Sequence, residues 1–117
     1  MATTVLIVDD HPSFRASARL LLEAEGFEVV GEAENGSSAL TAAGELAPDL
    51  VLLDVQLPDI DGFDVAARLT SNGDSPVVVL TSSRDVYDCG YDLERSGARA
   101  FIPKAELTGP ALEALLR

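Results

Sequence analysis

Tryptophan is absent and aromatic residues make up only 5% of the 117 residues. The core must therefore be assembled from Val, Leu, Ile and Ala. A single cysteine, Cys89, excludes an internal disulfide and points to a reducing, cytoplasmic setting. Cationic residues are scarce: 8 Lys and Arg stand against 20 Asp and Glu, for a net charge of −12. Nucleic acids and anionic membranes are held by clustered Lys and Arg, so neither is expected as a direct partner. No apolar run approaches the roughly 20 residues that span a bilayer. The N-terminus lacks the basic start and small-residue cleavage site of a secretory signal. One histidine, His11, has no companion ligands of the kind a zinc site needs. Linkers, tandem repeats and low-complexity segments are missing too. The length suits one domain over 1–117, with no room for a second, DNA-reading one.

What is present is an alternation of short β-rich runs with helical stretches. The runs fall at 5–8, 28–30, 50–53, 77–80 and 100–102. Three of them are almost continuously apolar, as expected of strands covered on both faces. The run around Val29 is short and flanked by acids, which suits an edge strand. In the first helix Phe14, Ala18, Leu21 and Leu22 share a face, Pro12 fits its first turn and Gly26 its stop. The second follows Asn35-Gly36, is expected to bury Leu40, Ala43 and Leu46, and stops before Pro48. The third, over 62–71, has Asp61 as its cap and Phe63, Ala66 and Leu69 inward. A fourth, over 85–96, is poor: Gly90 interrupts it and Asp88, Asp92 and Glu94 crowd it. The last begins near Thr108, accepts Pro110 in its first turn, and is expected to bury Leu112, Leu115 and Leu116. Five βα repeats imply a parallel sheet with helices on both faces. In such sheets ligands bind beyond the carboxyl ends of the strands, where the strand order reverses.

Chemistry-bearing residues collect at those ends. The first strand runs into Asp9-Asp10, the third into Asp54, the fourth into Thr81-Ser82-Ser83, and the fifth into Pro103-Lys104. Three neighbouring carboxylates raise one another's pKa, a cost that a hard divalent cation removes. Mg²⁺ takes oxygen ligands and typically uses one or two carboxylates together with phosphate oxygens. Lys104 is the only lysine. At the end of a buried strand its compact ammonium suits pairing with a carboxylate and then with a phosphoryl oxygen. The Thr81 hydroxyl is placed to donate to the same oxygen, with Ser82 and Ser83 as adjacent substitutes.

The segments Val5-Leu6-Ile7-Val8-Asp9-Asp10-His11-Pro12, Val51-Leu52-Leu53-Asp54-Val55-Gln56-Leu57-Pro58-Asp59-Ile60-Asp61-Gly62, Val79-Leu80-Thr81-Ser82 and Phe101-Ile102-Pro103-Lys104 resemble the receiver domain of bacterial two-component response regulators. The resemblance covers nearly the whole chain. The Asp-Asp-His-Pro start is similar to the NarL/LuxR-like class, whose members often carry a C-terminal DNA-binding domain. The resemblance implies a flavodoxin-like fold with five parallel strands in the order 2-1-3-4-5 and five flanking helices. It implies Asp54 as phosphoacceptor, Asp9 and Asp10 as the acidic pair, and Mg²⁺ held by Asp10, Asp54 and the Gln56 carbonyl with Asp9. Thr81 matches the switch hydroxyl, Lys104 the phosphoryl-pairing lysine and Phe101 the switch aromatic. The implied partners are a sensor histidine kinase and a downstream protein or fused output domain, with room for a homodimer. Two features depart from the pattern: Ala105 rather than proline follows Lys104, which argues against a cis bond there, and the fourth helix is degenerate.

Other classes fit less well. A Mg²⁺-dependent aspartyl-phosphate phosphohydrolase often has a second Asp two residues past its nucleophile, where this chain has Gln56. A flavin carrier needs a hydroxyl- and Gly-rich phosphate loop after the first strand, where Asp9-Asp10 would repel phosphate. A dinucleotide enzyme needs Gly-x-Gly-x-x-Gly, which is missing. A pseudo-receiver that only binds protein would not need the complete set of acids, Thr and Lys.

Overall fold

The computed structural model describes residues 2–71, 76–83 and 94–116. Five strands, β1 (Thr4–Val8), β2 (Glu28–Ala33), β3 (Leu50–Asp54), β4 (Val77–Ser82) and β5 (Ala100–Pro103), form one parallel sheet in the order β2-β1-β3-β4-β5. Among the described residues four helices accompany them: α1 (Pro12–Ala24), α2 (Gly36–Leu46), α3 (Gly62–Leu69) and α4 (Gly109–Leu115). A 3₁₀ turn, Lys104–Glu106, follows β5. The expected helix over 85–96 lies outside the described residues except for a helical turn at 94–96.

Local chemistry sets the helix ends. Pro12 occupies the first turn of α1, where its missing N–H costs nothing, and Gly26 at φ +95° reverses the chain after it. Asn35 and Ser38 form a reciprocal capping box on α2. Asp61 accepts the Phe63 N–H at 2.7 Å to cap α3, and Thr108 accepts the Ala111 N–H at 3.1 Å to cap α4.

Strand alternation divides the core. Val5, Ile7, Leu50, Leu52 and Val79 face one way, against Ala18 and Leu22 of α1 and Leu112 of α4. Leu6, Val8, Val51, Leu53, Val78 and Leu80 face the other, against Ala39 of α2 and Val65 and Ala66 of α3. Each fully buried leucine adds about 2 kcal/mol of transfer free energy, which is how a core nearly without aromatics holds.

Three expectations need correction, on β2, on α2 and on the last helix. β2 continues to Ala33 rather than stopping at residue 30, because its pairing with β1 shifts register between Val5 and Leu6 and then resumes. Leu46 is 42% exposed rather than buried. Leu46 packs over Gly31 of the edge strand, where an added Cβ would lie 2.7 Å from Leu46 Cδ1, and no further strand lies beyond to cover it. Ala39 is the fully buried residue of α2 instead, while Leu40 and Ala43 are partly buried. Leu115 and Leu116 pack against the core only in part.

Candidate functional site

The same alternation that divides the core builds the site. Asp9 lies two residues past Ile7, Asp54 two past Leu52, Thr81 two past Val79 and Lys104 two past Ile102. All four therefore belong to the parity that faces α1 and α4, one step beyond the apolar layer. Asp54 and Thr81 are register partners on neighbouring strands. The site sits at the carboxyl ends of β1 and β3, where the strand order reverses.

Lys104 joins the two carboxylates. Its Nζ lies 2.6 Å from Asp9 Oδ2 and 3.5 Å from Asp54 Oδ2. The shorter contact is a close ion pair but is poorly directed as a hydrogen bond, so Asp9 Oδ2 retains unsatisfied acceptor capacity. The second oxygen of Asp9 accepts the His11 N–H at 2.8 Å and meets His11 Nδ1 at 2.9 Å. His11 Nδ1 also lies 3.1 Å from Asp10 Oδ1. Asp54 Oδ1 accepts the Gln56 N–H at 3.1 Å. Asp9 and Asp54 are buried, whereas Asp10 and His11 are exposed. Thr81 is fully buried and its Oγ1 makes no hydrogen bond among the described residues.

The two buried acids are displaced in opposite directions. Burial pushes Asp54 up from the ordinary 3.8; the Gln56 N–H opposes this, the Asp9 charge reinforces it, and the outcome is a raised value. Burial pushes Asp9 up as well, but Lys104 and the two His11 contacts outweigh it and hold Asp9 below 3.8. One ammonium thus serves two buried carboxylates unequally, closest in charge contact to Asp9 and hydrogen-bonded at longer range to Asp54 Oδ2.

The loop from 55 to 61 is held at both ends. Gly62 N–H donates to the Val55 carbonyl at 2.8 Å. A Cβ on Gly62 would collide with the Asp54 carbonyl oxygen and come within 2.6 Å of Val55 Cα. Only glycine lets α3 start this close to the end of β3. Because backbone cannot yield as a rotamer does, Gly62→Ala is expected to cost about 2–3 kcal/mol, the upper part of the usual overpacking range. A lowered urea midpoint measures this, and an unchanged midpoint would refute the close approach. Farther along, Asp59 accepts the Gly36 and Ser37 N–H groups at 2.7 and 3.0 Å, which ties the loop to the start of α2. These bonds hold the Asp59 carboxyl below its ordinary value.

The expected residues are brought together with one division. Asp9, Asp10, Asp54 and Lys104 converge, and Asp9 rather than Asp10 makes the lysine contact. Thr81 joins them by register. Phe101 does not: it is half-buried on the opposite face, packed with the Leu80 and Leu53 layer. Gln56 contributes its N–H to Asp54. No cis peptide bond occurs among the described residues, in keeping with Ala105 after Lys104. Sequence reasoning missed three contributors. His11, for which the sequence suggests no site role, contacts both acids of the pair. Arg15 donates to the Asp9 carbonyl at 2.6 Å while pairing with Glu32 at 3.1 Å. Phe14 places its ring centroid 4.2 Å from Lys104 Nζ. For Phe14 and Arg15 the position in the first turn of α1, about one turn after the acidic pair, was the available signal, and for His11 it was adjacency to Asp10.

The family model of the response regulator receiver domain matches residues 5–116, and the chain belongs to that family. It is a receiver domain of two-component signalling. It is 46% identical over 107 residues to BvgA of Bordetella pertussis, described as a positive transcription regulator of virulence factors, covering 91% of this chain and 51% of the relative. It is 43% identical over 106 residues to the DNA-binding response regulator MtrA of Mycolicibacterium smegmatis, covering 89% and 45%. The chain thus spans about half the length of these relatives. Among solved structures, the signal receiver domain of a response regulator designated NarL from Mycobacterium tuberculosis superposes with a TM-score of 0.85 at 33% identity, over 98% of this chain and 97% of that one.

Proposed function

We propose that Asp54 is the phosphoacceptor and that this domain is a switch rather than a turnover enzyme. The observation that carries the reading is Lys104 placed between two buried carboxylates of unequal protonation tendency, at the strand-order reversal of the sheet. Asp9 stays ionised beside the lysine. Asp54, farther from it, presents a carboxylate whose charge is incompletely balanced and is available for attack. An Asp54 carboxylate oxygen attacks the phosphorus of a phosphohistidine on a partner kinase. The P–N bond breaks, its electron pair returns to the imidazole, and an acyl phosphate remains on Asp54. Lys104 pairs with a phosphoryl oxygen as charge accumulates there.

The donor set fits a hard divalent cation. Ligand atoms of Asp9, Asp10, His11 and Asp54 lie within 4.8 Å of one another, the carboxylates supply oxygen, and a single ammonium leaves negative charge in excess. Asp9, Asp10, Asp54 and the Gln56 carbonyl would hold Mg²⁺, which when bound neutralises charge on the transferring oxygens. The Thr81 hydroxyl, buried and without a hydrogen-bond partner among the described residues, turns to the phosphoryl oxygen, and Phe101 on the far side of the sheet responds. Output then runs through a protein contact, either with a separate target or with an output domain beyond this chain. A net charge of −12 disfavours DNA contact by these residues themselves.

Incubation with a small phosphodonor and Mg²⁺ is expected to add one phosphoryl group in intact-mass spectrometry, and Asp54→Asn to abolish the gain. Gain at the wild-type rate in Asp54→Asn would overturn the assignment.

A further inference from the structure

Lys104 has a third neighbour that plays no part in the proposed chemistry. The Phe14 ring centroid lies 4.2 Å from Nζ, within the distance at which a ring face attracts a cation. Phe14 belongs to the first turn of α1, immediately after the acidic pair, and packs at the edge of the apolar layer that faces α1 and α4. Lys104 extends from the end of β5 on that same parity. The ammonium is therefore bounded by Asp9 at 2.6 Å, Asp54 at 3.5 Å and the ring. Only 15% of the lysine side chain is exposed.

This arrangement addresses a problem inherent in a single ammonium shared by two carboxylates. Asp9 has the closer contact, and that contact is poorly directed. The hydrogen bond from Lys104 to Asp54 Oδ2 is long at 3.5 Å, so the carboxylates by themselves hold the lysine toward Asp54 only loosely. A long side chain has considerable rotamer freedom, and Phe14 removes part of it. The negative ring face attracts the ammonium without satisfying a hydrogen-bond donor. The N–H groups therefore remain available for oxygen. An aliphatic residue would fill the same core position but would supply no such attraction. Phenylalanine here is notable in a chain with only four of them.

We propose that Phe14 is a positioning residue that holds the Lys104 ammonium over the gap between Asp9 and Asp54 and so sets the rate at which Asp54 gains a phosphoryl group. The rate consequence rests on the phosphoacceptor reading of Asp54; the contact itself does not.

The test uses the full chain and exploits Lys104 being the only lysine, so that lysine labelling yields one unambiguous signal. The Lys104 side-chain methylene next to the ammonium is expected to show an upfield ring-current shift in the wild type that disappears in Phe14→Leu. Identical lysine signals in the two proteins would overturn the proposal whatever the phosphorylation result. Phosphorylation by acetyl phosphate with Mg²⁺ is then followed with mono-, di- and trifluorinated phenylalanine at position 14, which keep the ring's shape while draining its negative face. The rate is expected to fall stepwise with fluorine number, reaching a loss of about two- to tenfold in Phe14→Leu. Phe14→Tyr is expected to stay near wild type, and melting temperatures across the fluorinated series to remain level. A flat rate series with phosphorylation intact would overturn the positioning role. Absence of phosphorylation in the wild type would instead refute the reading of Asp54, with the lysine signal still deciding the contact.

Discussion

Lys104→Met is expected to unfold at a much lower urea concentration than the wild type near neutral pH, with the gap closing on acidification. The substitution keeps an unbranched chain against the Phe14 ring but removes the ammonium that contacts both Asp9 and Asp54. Removing one partner of a buried ion pair strands the other, at a typical cost of about 3–5 kcal/mol. Here the loss should lie near 3 kcal/mol, because the His11 N–H still serves Asp9 and the Gln56 N–H still serves Asp54.

The pH dependence follows from the directions of the two shifts. In the wild type Asp9 is held below 3.8, so its stabilisation is present above that value and is lost as pH falls through the lowered folded value. Asp54 is raised above 3.8 and works in reverse: its penalty is present above the raised value and is relieved as pH falls from there toward 3.8. Without Lys104 both carboxyls take up protons more readily, so acidification removes the stranded charge and the variant approaches the wild type. A constant difference between the two proteins from neutral to acid pH would refute the ion pair as the cause.

Mg²⁺ is expected to raise the melting temperature, and Asp10→Ala to abolish most of that rise. A ligand that binds only the folded state stabilises it by mass action, by about 2.7 kcal/mol at one hundred times its dissociation constant. For a domain of this size each kcal/mol corresponds to about 3–6 °C. Asp10 is the member of the acidic pair with a solvent-exposed carboxylate and no contact to Lys104 among the described residues, so it is free to take a cation. The metal-free Asp10→Ala protein should be at least as stable as the wild type, since a like charge has gone from beside Asp9 and Asp54. An undiminished Mg²⁺-dependent rise in Asp10→Ala would sink Asp10 as a ligand.

The fold was open to sequence reasoning because its signals are local. Apolar runs too short for helices, separated by capped helical segments, admit few arrangements other than a parallel sheet. Asn35, Asp61 and Thr108 cap within their own turns. The convergence of the candidate residues was equally legible, because strand parity carries Asp54 and Thr81 to one face, and Asp9 and Lys104 follow directly after the strands that deliver them there. Leu46 was misplaced for a reason no periodicity contains: it lies over Gly31 of β2, the edge strand, which has no further strand beyond it to complete the cover, and the side chain stays 42% exposed.

The sequence by itself determined the order of elements, the face on which each strand residue lies, and hence which groups meet at the carboxyl ends. These depend on periods of 2 and 3.6 residues and on caps a few residues long. Only the tertiary structure decided how those groups are paired. Lys104 joins Asp9 rather than Asp10, Phe14 covers its ammonium, Arg15 reaches the Asp9 carbonyl, and Asp59 reaches across to the start of α2. Such pairings are set by the relative depth and angle of elements distant in the chain. A shift of about an ångström there decides which oxygen an ammonium reaches, and no local pattern encodes it.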